Sequence, residues 1–294
     1  NNTLVLGLVG HSIEVQRKRG GGTTLTSFWD VEISGQEASA GGTGLSTAEM
    51  QTASTFLEVG WDFVDEEENG PNDVWKIIEG QTYPLLSWQK YGGGTGEPND
   101  PYLIYTAEHL NALGAEPNDY DKHFKLMADI DLSGYVYDRA VIAPDVNDVD
   151  LDFQGVRFTG VFEGNDQIIR NAYIHTPESD YVGLFGSLGT DGQIMNLGIE
   201  SASVVGSYSV GSLVGHNNGA ITNCYSTCTV AGASEVGGLV GKNDDVGIAN
   251  CYTTARVSGQ YLIGGLAGYN RNSITSSYSN AMVNGEDRVG GLVG

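Results

Sequence analysis

The C-terminal half of the chain contains a short sequence that recurs four times and then begins a fifth time. The glycine that closes the opening motif of each copy falls at Gly186, Gly215, Gly241, Gly268 and Gly294, so successive copies are 29, 26, 27 and 26 residues apart. The copies also align in an isoleucine column (Ile194, Ile221, Ile248 and Ile274) and a valine column (Val204, Val230, Val257 and Val283). Units of this length cannot enclose a core alone, so they must stack on one another.

The residues of each copy favour strands over helices. Each copy has three short runs rich in Val, Ile, Thr, Ser and Tyr, separated by Gly or Asn turns. Three strands of four to six residues, at about 3.3 Å per residue, account for about 26 residues with their turns. The sequence therefore predicts an all-β chain: a parallel β-solenoid whose coils stack at about 4.8 Å, with the isoleucine and valine columns pointing inward.

Coil corners place demands on the backbone. The motif glycines fit corners that need a positive φ or a close approach between backbones. Asn217, Asn243 and Asn270 follow at the next turn, where we predict left-handed conformations that Asn tolerates.

Two short helices are predicted outside the repeats. Ser46 and Glu49 form a capping box before AEMQTAST, and Thr106 can cap AEHLNALG. Solenoid ends are commonly shielded by such atypical elements, because open edge strands template aggregation. We therefore expect both helices to be capping elements.

Three of the copies resemble the GLUG-motif repeats of bacterial surface proteins. They are VGSLVGHNNGAITNCYSTCTVAG from Val210, VGGLVGKNDDVGIANCYTTARVSG from Val236 and IGGLAGYNRNSITSSYSNAMVNG from Ile263. Such repeats occur in secreted adhesin-like proteins and in non-catalytic regions of IgA-cleaving metallopeptidases. The resemblance implies a secreted, extracellular or bacterial cell-surface protein, and it supplies no catalytic residues.

The same resemblance suggests a domain organisation. The segments from His123 and from Phe158 resemble those that open a GLUG array, whereas the segment from Phe28 resembles one that closes an array, and LGLVGHS at Leu6 resembles a last GLUG strand. We therefore predict the last coils and closing cap of a first solenoid in residues 1–90, a Gly/Pro linker or turn in 91–100, the opening of a second solenoid in 101–174 and regular coils in 175–294.

The charge of the chain limits its partners. It has 37 acidic and 14 basic residues, for a formal net charge of −23. Such a charge repels phosphate backbones, so we expect no nucleic-acid partner. No apolar run reaches membrane-spanning length, and we expect no direct insertion into a membrane.

An acidic stretch is the best candidate for a metal site. Carboxylates at alternating positions can face one side of a strand and bind Ca²⁺ together with loop carbonyls. The candidate ligands are Asp129, Asp131, Asp148, Asp150 and Asp152. Solvated acidic turns are the alternative, and Ca²⁺ is the one cofactor that the sequence suggests.

Cys224 and Cys251 occupy the same position in successive copies. If both point inward, their Cα atoms lie about 4.8 Å apart, which is within the range of a disulfide. Buried thiols that act as small apolar groups are the alternative that we favour.

Three functions compete. The first is a non-catalytic structural surface or filament protein, in which copies of the chain assemble head to tail. The second is an adhesin or stalk that binds a glycan or a host-cell-surface ligand. The third is a Ca²⁺-dependent lyase-like enzyme, for which Arg139, Arg157 and Arg170 lie near the acidic stretch. Metalloprotease H-E-x-x-H and hydrolase G-x-S-x-G motifs are absent from the sequence, and we expect the first function and no enzyme activity.

Overall fold

The chain divides into two compact units, Asn1–Gln89 and Lys90–Gly294. The computed structural model describes residues 25–64, 66, 67, 69–147 and 152–294. The larger unit is a parallel β-solenoid of about five turns, so the predicted fold class is confirmed. The smaller unit has its own aromatic core.

Each regular coil of the solenoid contains four strands. In one coil these are Tyr208–Gly211, Val214–Asn217, Ala220–Thr222 and Tyr225–Ala231. Each of them pairs in parallel with its counterpart in the next coil. The four strands therefore belong to four separate sheets, which we number 1 to 4 in the order in which the chain visits them.

The four sheets extend through the solenoid to different lengths. Sheet 1 contains Tyr208–Gly211, Ser234–Gly237, Tyr261–Gly264 and Asp287–Gly290. Sheet 2 contains Phe185–Leu188, Val214–Asn217, Val240–Asn243 and Ala267–Asn270. Sheet 3 contains Tyr102–Ile104, His123–Leu126, Val161–Glu163, Gln193–Met195, Ala220–Thr222, Gly247–Ala249 and Ser273–Thr275. Sheet 4 contains Ile130–Asp131, Val136–Tyr137, Ile168–Arg170, Tyr173–His175, Gly198–Val205, Tyr225–Ala231, Tyr252–Thr253, Arg256–Ser258, Tyr278–Ser279 and Met282–Asn284.

The prediction of three strands per coil was wrong because the glycine-rich motif turns in its middle. The chain leaves sheet 1 at Gly211 and enters sheet 2 at Val214. A Cβ atom added to Gly211 would lie 2.4 Å from the carbonyl oxygen of Val214 and 2.7 Å from the amide nitrogen of Gly241. The turn between sheets 1 and 2 therefore has no room for a side chain at Gly211. One apolar run in the sequence thus forms two strands.

The isoleucine and valine columns form the interior of the solenoid. The isoleucines are register partners along sheet 3, from Ile194 to Ile274. The valines are register partners along sheet 4, from Val204 to Val283. All are buried except Ile274 and Val283 in the last coil, which are half-buried. Each buried side chain contributes about 1.5–3 kcal/mol before the cost of ordering the chain.

The closing glycines of the motif bring each coil close to a corner of the coil before it. A Cβ atom on Gly215 would lie 2.5 Å from the carbonyl carbon of Tyr181, and one on Gly241 would lie 2.3 Å from that of Ser209. Tyr181 and Ser209 adopt left-handed conformations, with φ of 56° and 53°. The glycines themselves do not have positive φ, so the close approach is what requires them.

The first coil of the solenoid is covered by a cap. The helix Ala107–Gly114 buries Leu110 and Leu113 in the core, and it is capped at Thr106 as predicted, by a 3.3 Å bond from the amide of His109. A short 3₁₀ helix follows at Pro117–Asp119. Backbone bonds of 2.8 Å from Gly92 and 3.0 Å to Gly93 occupy the outer edge of the first strand of sheet 3.

The predicted linker is therefore part of the cap. Residues 91–100 belong to the larger unit. Tyr91 is 4% exposed, and its ring lies 4.5 Å from that of Tyr102 and 5.5 Å from that of Phe124. The segment predicted to open the solenoid forms its first coils, since its strands pair within sheets 3 and 4.

Residues 273–294, which we call the terminal rung, follow the regular coils. Its strands pair in parallel with the preceding coil. Ile274 and Val283 are half-buried, whereas Ile248 and Val257 in the preceding coil are 1% and 2% exposed. The terminal rung therefore continues the interior columns of the coils before it.

The smaller unit contains short elements in place of regular coils in its described residues. Its strands are Phe28–Asp30 with Thr43–Leu45, in parallel, and Trp75–Lys76 with Leu85–Leu86, antiparallel. Its helices are Val31–Ser34, Thr47–Met50 and Ala53–Leu57. Phe28, Met50, Phe56 and Phe63 form its core. The predicted GLUG strand at Leu6 lies outside the described residues.

The predicted capping box is present in this unit. The amide of Ser46 bonds to the carboxylate of Glu49 at 2.8 Å, and the amide of Glu49 bonds to the hydroxyl of Ser46 at 3.3 Å. The helix ends at Met50, and a second helix, Ala53–Leu57, follows where the sequence indicated one continuous helix. At the first helix, the carboxylate of Asp30 accepts bonds from two backbone amides, the Thr47 hydroxyl and the Tyr83 hydroxyl.

We predict that Gly241→Ala destabilises the solenoid. The new Cβ would lie 2.3 Å from Ser209 C and 2.4 Å from Val210 N, so the backbone must shift, at a cost of about 1–3 kcal/mol. Gly134→Ala is the matched control, because a Cβ there has nothing within 4 Å. Thermal denaturation followed by circular dichroism measures both variants. Equal midpoints for the two variants would refute the role of close approach.

Candidate functional site

The predicted calcium ligands lie in different surroundings. The carboxylate of Asp129 forms a 2.6 Å ion pair with Arg170 and accepts the amide of Ile168 at 2.9 Å. Asp131 accepts the side-chain amide of Asn171 at 3.0 Å, and this bond is the main reason that its pKa is lowered. These carboxylates connect neighbouring coils.

Of the three remaining predicted ligands, one lies within the described residues. Asp152 is exposed, and Asp148 and Asp150 lie outside the described residues. Within residues 25–64, 66, 67, 69–147 and 152–294, no group of three or more His, Cys, Asp or Glu side chains is arranged to hold a metal ion. Calcium binding by the stretch that contains Asp148 and Asp150 stays a prediction.

The three arginines of the enzyme hypothesis all have partners in the structure. Arg170 pairs with Asp129, and Arg139 contacts Asp138 at 3.2 Å. Arg157 lies over the ring of Phe153, 4.9 Å from its centroid, and contacts the hydroxyl of Ser187. These contacts occupy the groups that the hypothesis would use as a base.

Asparagines form a hydrogen-bonded ladder at the positions where we predicted left-handed conformations, and that prediction was wrong. Asn217 donates to Asn243 at 2.7 Å, and Asn243 donates to Asn270 at 2.6 Å. Asn217 and Asn243 are fully buried at the end of sheet 2 and do not have positive φ. The left-handed corner asparagines are instead Asn223 and Asn250, with φ of 55°. Asn217, Asn243 and Asn270 recur at the same position of successive copies, so this spacing in the sequence could have predicted the ladder.

Tyrosines form a second ladder on the outside of sheet 4. The rings of Tyr225 and Tyr252, and those of Tyr252 and Tyr278, stack with centroids 5.1 Å apart and planes 4° apart. Gly198 is the register partner of Tyr225 in the preceding coil, and a Cβ atom there would lie 2.5 Å from the ring of Tyr225. Tyr225 also donates a 2.7 Å hydrogen bond to Glu200.

Two cysteines and a serine form a third ladder, which follows the left-handed corner. The amide of Cys224 donates to the sulfur of Cys251 at 3.4 Å, and the amide of Cys251 donates to the hydroxyl of Ser277 at 3.0 Å. The Cys251 thiol in turn donates to the carbonyl of Ala249 at 3.2 Å. In this column, the side chain of one coil thus accepts a hydrogen bond from a backbone amide of the coil before it. All three cysteines are free thiols in the structure.

A polar cluster surrounds His216 on sheet 2. Its Nε2 lies 3.0 Å from the carboxylate of Asp244, which also pairs with Lys242 at 3.1 Å. Its Nδ1 lies 3.4 Å from Arg157, and its ring stacks on Tyr181 with centroids 5.7 Å apart. Burial lowers the pKa of His216 and outweighs its hydrogen bond to Asp244. The imidazole is therefore held neutral, with its Nε2–H donating to Asp244.

We predict that the His216 cluster makes the solenoid sensitive to acid. Because the pKa in the folded protein lies below the ordinary value of about 6.5, unfolded chains bind a proton first as the pH falls. The contribution of His216 to the free energy of unfolding is therefore complete above about pH 6.5 and is lost as the pH falls below that value. Urea denaturation at pH 8 and at pH 5.5 measures the effect. His216→Gln should lose less stability over this interval than the unmodified chain, and an equal loss would contradict the prediction.

We predict that Asn243→Ala disrupts the amide ladder. It leaves the buried side-chain amide of Asn217 without its partner, at about 1–3 kcal/mol. The half-buried side-chain carbonyl of Asn270 also loses its partner, at a smaller cost. Thr254→Ala, at an exposed position of the same coil, is the control. Urea denaturation compares the two variants. A similar loss in both would show that the ladder contributes little.

A known sequence motif coincides with one coil of the solenoid. Residues 206–231 match the family model described as "The GLUG motif". This segment contains one strand of each of the four sheets, from Tyr208 to Ala231. The matched motif is therefore one complete coil of the solenoid.

Two relatives match about half of the chain. Halomucin of Haloquadratum walsbyi is 36% identical over 154 residues, which cover 51% of this chain and 2% of halomucin. A protein of Evansella cellulosilytica named "Putative Gly-rich membrane protein" is 34% identical over 191 residues, which cover 52% of this chain and 21% of that protein. The chain thus corresponds to a small part of each relative.

A solved structure has a similar fold. It is the crystal structure of "a putative immunoglobulin A1 protease" from Bacteroides ovatus, with a TM-score of 0.51 and 23% identity, over 70% of this chain and 64% of that one. At this identity the similarity concerns the fold alone. The helices of the described residues are all too short or too polar to cross a bilayer. The motif match and the coil geometry agree: residues 206–231 carry a GLUG motif, and the motif lies within a parallel β-solenoid.

Proposed function

We propose that this chain is a non-catalytic structural section of an extracellular or cell-surface protein. The observation that carries the proposal is the continuity of the side-chain ladders through successive coils. Isoleucine, valine, asparagine and tyrosine columns each connect at least three coils. Side chains are thus used repeatedly to join one coil to the next, which suits a rod that must keep its shape.

The names of the relatives support a surface role. One is called halomucin, and the other is named as a membrane protein. The acidic composition, with a net charge of −23, agrees with a highly hydrated surface. Because the chain covers 2% and 21% of these proteins, their whole activities are not transferred to it.

The surroundings of the charged residues support a non-catalytic role. A lyase-like site needs aspartates around a metal ion and a nearby free arginine or lysine. Here Asp129 and Arg170 neutralise each other in an ion pair between coils. Arg157 contacts the ring of Phe153 and the hydroxyl of Ser187. The protease name of the solved structure concerns a protein only 23% identical and does not bear on this site.

The tyrosine ladder bears on the alternative, an adhesin that binds glycans. Sugars pack against the faces of aromatic rings, but the stacked rings of Tyr225 and Tyr252 cover each other's faces. Tyr278 is 56% exposed and stacks on Tyr252. A glycan array with the intact chain tests the alternative, and saturable binding that Tyr278→Ala abolishes would favour it.

Head-to-tail assembly of copies is the second part of our proposal. Within the chain, each coil pairs in parallel with the next, and Ile274 and Val283 belong to the columns that join the coils. A coil of another copy with the same pattern could pair with the sheets in the same way. The other end of the larger unit is closed by the helix Ala107–Gly114 and the segment around Gly93. Pairing of coils from different copies is therefore the contact that we propose for the assembly.

We predict that the full chain associates in a concentration-dependent manner and that Ile274→Lys weakens this association. Losing one apolar contact of about 1.5–3 kcal/mol corresponds to tenfold or more in the dissociation constant. Sedimentation velocity and negative-stain electron microscopy measure the association. The solution should contain enough salt to screen the repulsion between copies of charge −23.

Thr275→Lys provides the matched control. Thr275 is the exposed neighbour of Ile274 on the same strand. Thr275→Lys therefore adds the same charge as Ile274→Lys, but on the outer face. Circular dichroism should show that both variants remain folded, because the terminal rung supports no further described coil. A chain that stays monomeric at every concentration, or equal association of the two variants, would contradict the assembly proposal.

A further inference from the structure

Cys224 and Cys251 lie one above the other in adjacent coils. The Cys251 sulfur accepts the Cys224 amide at 3.4 Å, and the Cys224 thiol donates to the carbonyl of Thr222 at 3.2 Å. Each cysteine is 1% exposed. The contact lies between the coil that matches the GLUG motif and the coil that follows it.

The backbone spacing at this position suits a disulfide. The next residues, Tyr225 and Tyr252, are direct register partners in the parallel sheet. Adjacent strands are about 4.8 Å apart, and disulfides join Cα atoms that are about 4.4–6.8 Å apart. Rotation of the two side chains toward each other can therefore form the bond without separating the coils.

The third cysteine provides an internal comparison. Cys228 is also buried, but its thiol points to the carbonyl oxygen of Ile199 at 3.4 Å. The residues facing it in the neighbouring coils are Ala202 and Ala255, which carry no sulfur. Cys228 therefore lacks a cysteine partner in its own column.

The two thiols differ in acidity once their coils have paired. The side chain and the amide of Cys224 lower the pKa of Cys251. Burial raises the pKa of Cys224. In coils that have paired but still admit an oxidant, Cys251 is thus the thiol that ionises first, and the thiolate is the form that attacks a disulfide.

We propose that Cys224 and Cys251 form a disulfide that joins two successive coils when the chain folds under oxidising conditions. The oxidant is a small-molecule disulfide, such as glutathione disulfide. The Cys251 thiolate attacks one of its sulfurs, forms a mixed disulfide and releases one glutathione thiolate. The Cys224 thiolate then attacks the sulfur of Cys251, which forms the protein disulfide and releases the second glutathione thiolate. The two thiol protons pass to the two glutathione thiolates.

The bond is expected to form during folding rather than afterwards. In the folded coils both sulfurs are shielded, so a dissolved oxidant cannot reach them without local opening. Oxidising conditions are those of an extracellular protein. The inference is separate from head-to-tail assembly, because it concerns two coils of one chain and is measured by counting thiols.

Refolding of the full chain tests the proposal. The chain is unfolded in denaturant with reductant and is refolded with either reduced glutathione or a reduced and oxidised mixture. Free thiols are then counted by alkylation under denaturing conditions and mass spectrometry. We expect three thiols after reducing refolding and one after oxidising refolding. Trypsin should then yield Asn171–Lys242 joined to Asn243–Arg256, since Lys and Arg are absent within these peptides except at their ends.

Serine variants provide the controls. The Cys228→Ser variant should have two free thiols after reducing refolding and none after oxidising refolding. The Cys251→Ser variant should have two free thiols after either treatment. Cys251→Ser is expected to fold, because Ser277 makes the equivalent hydrogen bonds one coil later. The oxidised chain should have a higher thermal midpoint than the same chain after reduction. Three thiols after oxidising refolding, pairing through Cys228, or a cross-link between two chains on non-reducing gels would each overturn the proposal.

Discussion

The structure depends on placing like side chains directly above one another in parallel, in-register strands. Because register partners in adjacent coils are about 4.8 Å apart, the side chain at one position must pack against its own counterpart. Isoleucine and valine satisfy this requirement by filling the interior, and tyrosine does so by stacking its ring 5.1 Å from the next. Every coil is thus stabilised mainly by its two neighbours.

Polar groups obey the same rule when they form continuous chains of hydrogen bonds. Asparagine suits this because its amide carries both donors and an acceptor, so Asn243 can accept from one coil and donate to the next. Cysteine and serine use the same principle to satisfy a backbone amide beside a left-handed corner. Buried polar groups would otherwise be costly, so an interruption in one coil leaves partners unsatisfied in both neighbours.

The two ends of the larger unit differ physically. At the first coil, a helix buries Leu110 and Leu113 against the core, and backbone bonds to Gly92 and Gly93 occupy the strand edge. At the terminal rung, Ile274 and Val283 continue the interior columns of the coils before it. The cap therefore closes one end of the solenoid, whereas the terminal rung keeps the pattern of the regular coils.

The sequence by itself determined the repeat length, the solenoid class and the columns that stack, because register in a tandem solenoid reproduces the period of the sequence. It also identified the caps at Ser46 and Thr106, whose signals are local. Only the tertiary structure decided that each coil has four strands, because the turn after Gly211 depends on contact with Gly241 in the next coil. It likewise separated the buried Asn243 from the left-handed Asn250, and it paired Asp129 with Arg170. These outcomes depend on which atoms meet across coils, and residue types in one copy do not specify that.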